Sequence, residues 1–182
     1  MRTLRISVRR LVEFLLRSGD IDSSNDWRGG IEAMQAGSNI HRMLQAQGGE
    51  KYQAEVSLAG SFFFPSGSFD PYAARLEIRE QAVSDQTGFF LHVEGRADGI
   101  IDDRVRPPTI DEIKGTSRDV SAIDEPDVLH EAQALCYAYL YLRSSRGSMT
   151  LSSAFGEQVV VRITYASMDR RSASHRAHAR PA

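Results

Sequence analysis

Hydrophobic residues at Val8, Leu11, Val12, Leu15 and Leu16 repeat at the i, i+3, i+4, i+7, i+8 spacing of one helical stripe. Ser7 stands where a helix N-cap belongs, and Gly19 stands where the helix can end. A polar loop over residues 20–30 leads into a second helical pattern from Ile31 to about Gln47, with Met34, Ile40 and Leu44 inward and Gly48-Gly49 as its stop. Alternation then replaces the helical period in Tyr52–Leu58, Ala74–Ile78 and Phe89–Ile101, separated by Gly, Pro, Asp and Ser clusters. These segments read as antiparallel strands. A further strand carrying Glu112 follows Pro107-Pro108, an amphipathic helix runs from Val128 to about Leu142 after Pro126, and Val159–Ile163 supplies a last strand. The predicted order is helix, three strands, helix, strand, with no internal repeat. Beyond Asp169 the chain reduces to Arg, Ser, Ala and His without periodicity, which predicts one domain over residues 1–168 and a disordered basic tail over 169–182.

Composition changes this picture little. With 182 residues, 41% hydrophobic and 25% charged, the chain suits one globular domain with a core of ordinary size. No apolar run approaches the roughly 20 residues that cross a bilayer, and the basic N-terminus opens an amphipathic helix rather than a signal peptide. No membrane partner is expected, and the expected compartment is the cytoplasm. Cys136 is the single cysteine, which excludes an internal disulfide and a four-cysteine cluster. A net charge of -2 lacks the basic footprint of most nucleic-acid binders. Contact with DNA would then depend on a local patch, a metal or a partner. Arg2, Arg5, Arg9, Arg10 and Arg17 at one end, with Arg170, Arg171, Arg176 and Arg180 at the other, are candidates for such a patch.

The chemistry-bearing residues gather in two strands and one helix. Asp98 closes a Gly-Arg-Ala-Asp-Gly run, and Glu112-Ile-Lys114 lies on the next strand, where alternation aims Glu112 and Lys114 at one face. A hard divalent cation requires clustered carboxylate oxygens, and a neighbouring lysine can reach the attacking water or a scissile phosphate. The pattern points to metal-assisted phosphodiester hydrolysis. Its plain alternative is a turn at Asp98-Gly and a solvated Glu-Lys pair worth little. Against that alternative, Ile110 and Ile113 bracket Glu112 in an apolar setting. On the later helix Gln133, Tyr137 and Tyr141 fall four apart along one face, while Leu135, Tyr139 and Leu142 face elsewhere. Glu55 and Glu77 alternate with apolar neighbours and read as solvent-facing. Trp27 fits a core anchor or a base contact, and His130 beside Glu131 fits an active-site neighbour or a helix-end polar residue.

Taken in order, His41, Asp98, Glu112-Ile-Lys114 and Gln133-Ala-Leu-Cys-Tyr137 resemble the PD-(D/E)XK nuclease superfamily in its RecB-like branch. The resemblance covers about residues 7–165 and implies an α/β, restriction-endonuclease-like αβββαβ core, a central mixed sheet flanked by helices. Ile6–Asp22 and Gly37–His41 also look like the nuclease-like region ahead of some bacterial XPD/DinG-like helicases. By resemblance, His41, Asp98, Glu112 and the Ile113 carbonyl would hold Mg²⁺ or Mn²⁺, Lys114 would orient water and stabilise phosphate charge, and Gln133 and Tyr137 would position DNA or the lysine. The implied activity is that of a metal-dependent deoxyribonuclease in DNA repair or recombination, with DNA and a helicase domain or subunit as partners. The alternative is a catalytically inactive nucleic-acid-binding or interaction module derived from a helicase N-terminal domain. The chain departs from some relatives in lacking the four cysteines of an iron-sulfur clamp and any G-x-x-x-x-G-K-[ST] motif. It therefore reads as a free-standing nuclease domain or a truncated relative of the fused form.

Overall fold

The computed structural model describes residues 2–16, 31–65, 87–144, 158–168 and 175–182. The expected strand Ala74–Ile78, the Gly19 stop, Trp27, Glu77, Arg17, Arg170, Arg171 and the side chains of Met34 and Arg176 lie outside that description.

The elements run β1 Arg2–Ser7, α1 Val8–Leu16, α2 Ile31–Gln47, β2 Tyr52–Pro65, β3 Gly88–Ile101, β4 Thr109–Thr116, a single 3₁₀ turn Val120–Ala122, α3 Val128–Arg143, β5 Val160–Ser167 and β6 His175–Pro181. The chain is an α/β protein built on a six-stranded mixed sheet. Its long strand β3 is the organiser. One edge of β3 pairs antiparallel with β2 along its whole length, from Gly88↔Pro65 to Ile101↔Tyr52. The other edge is shared in tandem, by β1 in parallel over Phe89–Glu94 and by β4 antiparallel over Gly99–Ile101. Between these two pairings lies the segment that carries Asp98. β4 then pairs parallel with β5, and α3 makes the long crossover that a parallel pair needs.

Local chemistry accounts for the helix ends. Ser7 Oγ accepts from the Arg10 amide as the cap of α1, and the Asp127 carboxylate accepts from Leu129 N at 2.8 Å to start α3. α2 stops at Gly48-Gly49, where Gly49 takes φ +81°. The main core packs α1 and α3 against the sheet through Val8, Val12, Ile100, Ile110, Tyr137, Leu140, Tyr141, Val161 and Ile163. A smaller core lies under α2, joining Ile40 and Leu44 to Ile113 and Ala166. Helices thus flank the sheet on both faces.

Three expectations are revised. β1 precedes the first helix, where the pattern showed only a basic lead-in. β2 continues beyond Leu58 to Pro65. The tail expected to be disordered contributes β6, which pairs antiparallel with β5 from Ala166↔His175 to Val160↔Pro181. Its order comes from backbone bonds to an open sheet edge, and an ion pair from Arg180 to Glu131 at 2.5 Å ties it to α3. Neither cause leaves a hydrophobic period in the sequence.

Candidate metal centre

The β3–β4 ladder ends at Gly99↔Asp111, and the two strands separate beyond it. Asp98 stands at that fork. Its Oδ2 accepts the Ile113 amide at 2.7 Å, replacing a ladder bond with a carboxylate bond. The small core holds the Ile113 side chain in place. From α2, His41 Nδ1 approaches Asp98 Oδ1 at 3.3 Å, and one turn later Gln45 Nε2 donates to the Asp98 carbonyl at 2.9 Å. The hydrogen bond to Asp98 raises the His41 pKa above its ordinary value, against the opposing effect of burial.

Glu112 and Lys114 share the face of β4 that looks toward α3, as alternation predicts. Lys114 Nζ sits 2.7 Å from Glu112 Oε1 and 3.3 Å from Gln133 Oε1. Glu112 is only 1% exposed, and its other oxygen, Oε2, has no hydrogen-bond partner among the described residues. Burial pushes its carboxyl up to about 7. Lys114 pulls in the opposite direction, Asp98 adds to the rise and His41 opposes it, so Glu112 shares its electrostatic environment with both. Tyr137 is buried, with its hydroxyl on Gln133 and on the Arg96 backbone amide. It lies so close to Gly95 that a Cβ there would come within 2.9 Å of the hydroxyl, which explains a glycine in mid-strand.

A comparison within β4 separates structural charge from site charge. Asp111, on the opposite face, is also buried, yet it is fully satisfied. It accepts from Arg162 Nε and Nη2 at 2.9 and 2.8 Å, from Thr164 Oγ1 at 2.9 Å and from the Tyr52 hydroxyl at 3.0 Å. Such saturation marks a buried ion pair that holds strands together. Among the described residues, Glu112 has one lysine partner and one oxygen without a partner. Buried carboxylates are ordinarily paired, so an oxygen without a partner among the described residues, on a carboxylate that feels the charge of Asp98 and His41, fits a divalent cation, for which mixed nitrogen and oxygen donors are suitable.

Direct contacts therefore join Asp98 to His41 and Ile113, and separately join Glu112, Lys114, Gln133 and Tyr137, while Glu112 is not among the ligand atoms that gather within 4.8 Å around His41 and Asp98. Tyr141 does not extend the stripe toward the site, because its hydroxyl donates to Asp102 Oδ2 at 2.7 Å. His130 is likewise engaged elsewhere, with Nδ1 2.8 Å from the Tyr165 hydroxyl, and burial lowers its pKa. Glu55 was expected to be solvent-facing. It is exposed as expected, and one of its oxygens, one Asp98 oxygen and one His41 nitrogen also lie within 4.8 Å of one another. The strand alternation around Glu55 carries no sign of this, since the proximity arises from its position opposite Asp98 across the β2–β3 ladder.

No family model matches the chain, and no curated protein matches it. Among solved structures it is similar to one described as the crystal structure of SSO0001, at 16% identity and a TM-score of 0.46. That alignment covers 95% of this chain and 65% of the other, so the chain spans about two thirds of the length of the structure it matches.

Proposed function

We propose that this chain is a metal-dependent DNA nuclease of the RecB-like type within the PD-(D/E)XK superfamily, a cytoplasmic protein of DNA repair or recombination and the nuclease part of a helicase-nuclease. The observation that carries this reading is the state of Glu112. A carboxylate buried to 1% exposure, with one oxygen on Lys114 and the other without a partner among the described residues, is costly in itself and useful only where positive charge is to be held.

In this reading His41, Asp98, Glu112 and the Ile113 carbonyl hold Mg²⁺ or Mn²⁺. Such a cation supplies a water of lowered pKa and neutralises charge on the phosphate. The protein's own groups do the rest. Asp98 is fixed in place by the Ile113 amide, so its remaining oxygen has a defined direction. Lys114 uses two of its three donors on Glu112 and Gln133, which leaves the third for an attacking water or a phosphate oxygen. Gln133 in turn is held by Tyr137, so the lysine is positioned by a chain of contacts that begins in the main core.

Single-turnover cleavage of labelled single- and double-stranded DNA, with Mg²⁺, with Mn²⁺ and with EDTA, tests the proposal. Metal-dependent cleavage is the expected result. DNA binding without cleavage under every condition would refute it in favour of a non-catalytic nucleic-acid-binding module. The remaining contact with DNA is expected to be weak and salt-sensitive, because net charge is -2 and Arg5, Arg9 and Arg180 are each already paired with a carboxylate. A helicase partner would then strengthen the hold on DNA.

A further inference from the structure

Glu55 sits on β2 directly across from Asp98, between the paired positions Ala54↔Gly99 and Val56↔Ala97. The pairing skips this one rung, and Glu55 takes φ +56°, a left-handed conformation uncommon for a residue with a long side chain. The turned backbone sets its carboxylate beside His41 and Asp98, within the 4.8 Å that groups their ligand atoms. Two contacts hold it there. Gln45 Nε2 donates to Glu55 Oε1 at 2.9 Å while also bonding the Asp98 carbonyl, and Arg96 Nε lies 2.6 Å from Glu55 Oε2. An exposed pair with Arg96 is a weak reason to keep a glutamate in this conformation. The group is not merely acidic, since it includes an imidazole. Glu112 lies outside this group, yet Asp98 raises its pKa and His41 lowers it, and its Oε2 has no hydrogen-bond partner among the described residues.

We infer that Glu55 is a direct ligand of the divalent cation together with His41 and Asp98, exchanging Arg96 for the ion when the ion binds. The inference rests on the metal-dependent reading above and adds to it a ligand outside the His41, Asp98, Glu112 and Ile113 set. Arg96 then acts as a competitor for the ligand, so that removing it should strengthen metal binding rather than weaken it.

Calorimetric titration of the full chain with Mn²⁺ tests this. Glu55→Gln should weaken Mn²⁺ roughly tenfold or more, the range seen when groups supporting a metal site are lost. Glu55→Asn, which tolerates the left-handed backbone better, should do the same and guards against a folding failure. Arg96→Ala should tighten binding about two- to fivefold, the strength of an exposed ion pair, and should have no effect when Glu55 is already Gln. If Arg96→Ala tightens binding equally in both backgrounds, its effect is general charge and the inference fails. It fails also if both Glu55 variants bind Mn²⁺ as the parent does, while the metal-dependent reading survives. If the parent itself binds no Mn²⁺, both fall.

Discussion

Replacing Glu112 with glutamine should stabilise the metal-free protein while removing the function proposed for it. The folded chain holds this carboxyl at about 7 because burial disfavours its charge, against 4.5 for an unperturbed glutamate. Between those values the folded state binds more protons than the unfolded state. The stability linked to Glu112 is therefore fully present below about 4.5 and is lost as pH rises through about 7. At about 1.4 kcal/mol per pH unit, the gap amounts to about 3 kcal/mol by pH 8. Glutamine does not titrate and keeps an acceptor for Lys114. Lys114 loses its counter-charge but is 24% exposed and still reaches water, which reduces the expected gain to about 2 kcal/mol. Urea denaturation in EDTA at pH 5 and pH 8 measures this directly. Glu112→Gln should be more stable than the parent at pH 8, with the advantage shrinking toward pH 5, and added Mn²⁺ should stabilise the parent far more than the variant. A variant less stable than the parent at pH 8, or an advantage that ignores pH, would refute the account of Glu112 as a charge buried for a cation.

Other perturbations separate the remaining roles. Lys114→Ala should spare Mn²⁺ binding and lower the single-turnover cleavage rate by about 10²–10⁴-fold, the usual scale for a positioned proton-transfer or charge-stabilising group; comparison of calorimetry with cleavage kinetics checks it. His41→Ala should weaken Mn²⁺ more than Mg²⁺, because imidazole favours the softer ion, and equal titrations of the two metals before and after would contradict this. Asp111→Ala should destabilise the fold by about 3 kcal/mol, since it strands Arg162, Thr164 and Tyr52 together, yet leave Mn²⁺ affinity unchanged at temperatures where the variant stays folded.

What could be read in the sequence was whatever rests on local periodicity or local capping. The α2 boundary at Gly48, the shared face of Glu112 and Lys114 and the Gln133–Tyr137 turn appear in the structure as their spacing implies, whereas the α1 stripe is buried at Val8 and Val12 and partly at Leu11 but leaves Leu15 and Leu16 exposed. What could not be read depends on pairing partners distant in the chain. β1 exists because Phe89–Glu94 offers an edge, and β6 because β5 offers another. Glu55 and Asp111 look alike as acidic residues among apolar neighbours. Only the ladder opposite Asp98 and the cross-strand Arg162 distinguish the residue that gathers with His41 and Asp98 from the one saturated by an ion pair. Gly95 is a related case: its lack of a side chain is explained by Tyr137, a residue on a helix more than one strand away in sequence.

The central claim is that the fork between β3 and β4 holds a divalent cation that drives phosphodiester cleavage, and Asp98 is the residue on which both halves of that claim converge. The most direct measurement is the single-turnover cleavage rate of labelled DNA as a function of Mn²⁺ concentration, for the parent and for Asp98→Ala. The account predicts saturable, Mn²⁺-dependent cleavage by the parent and none above background by Asp98→Ala at any Mn²⁺ concentration, with the variant still folded by circular dichroism. Cleavage by Asp98→Ala at the parent's rate and with the parent's Mn²⁺ dependence would contradict it.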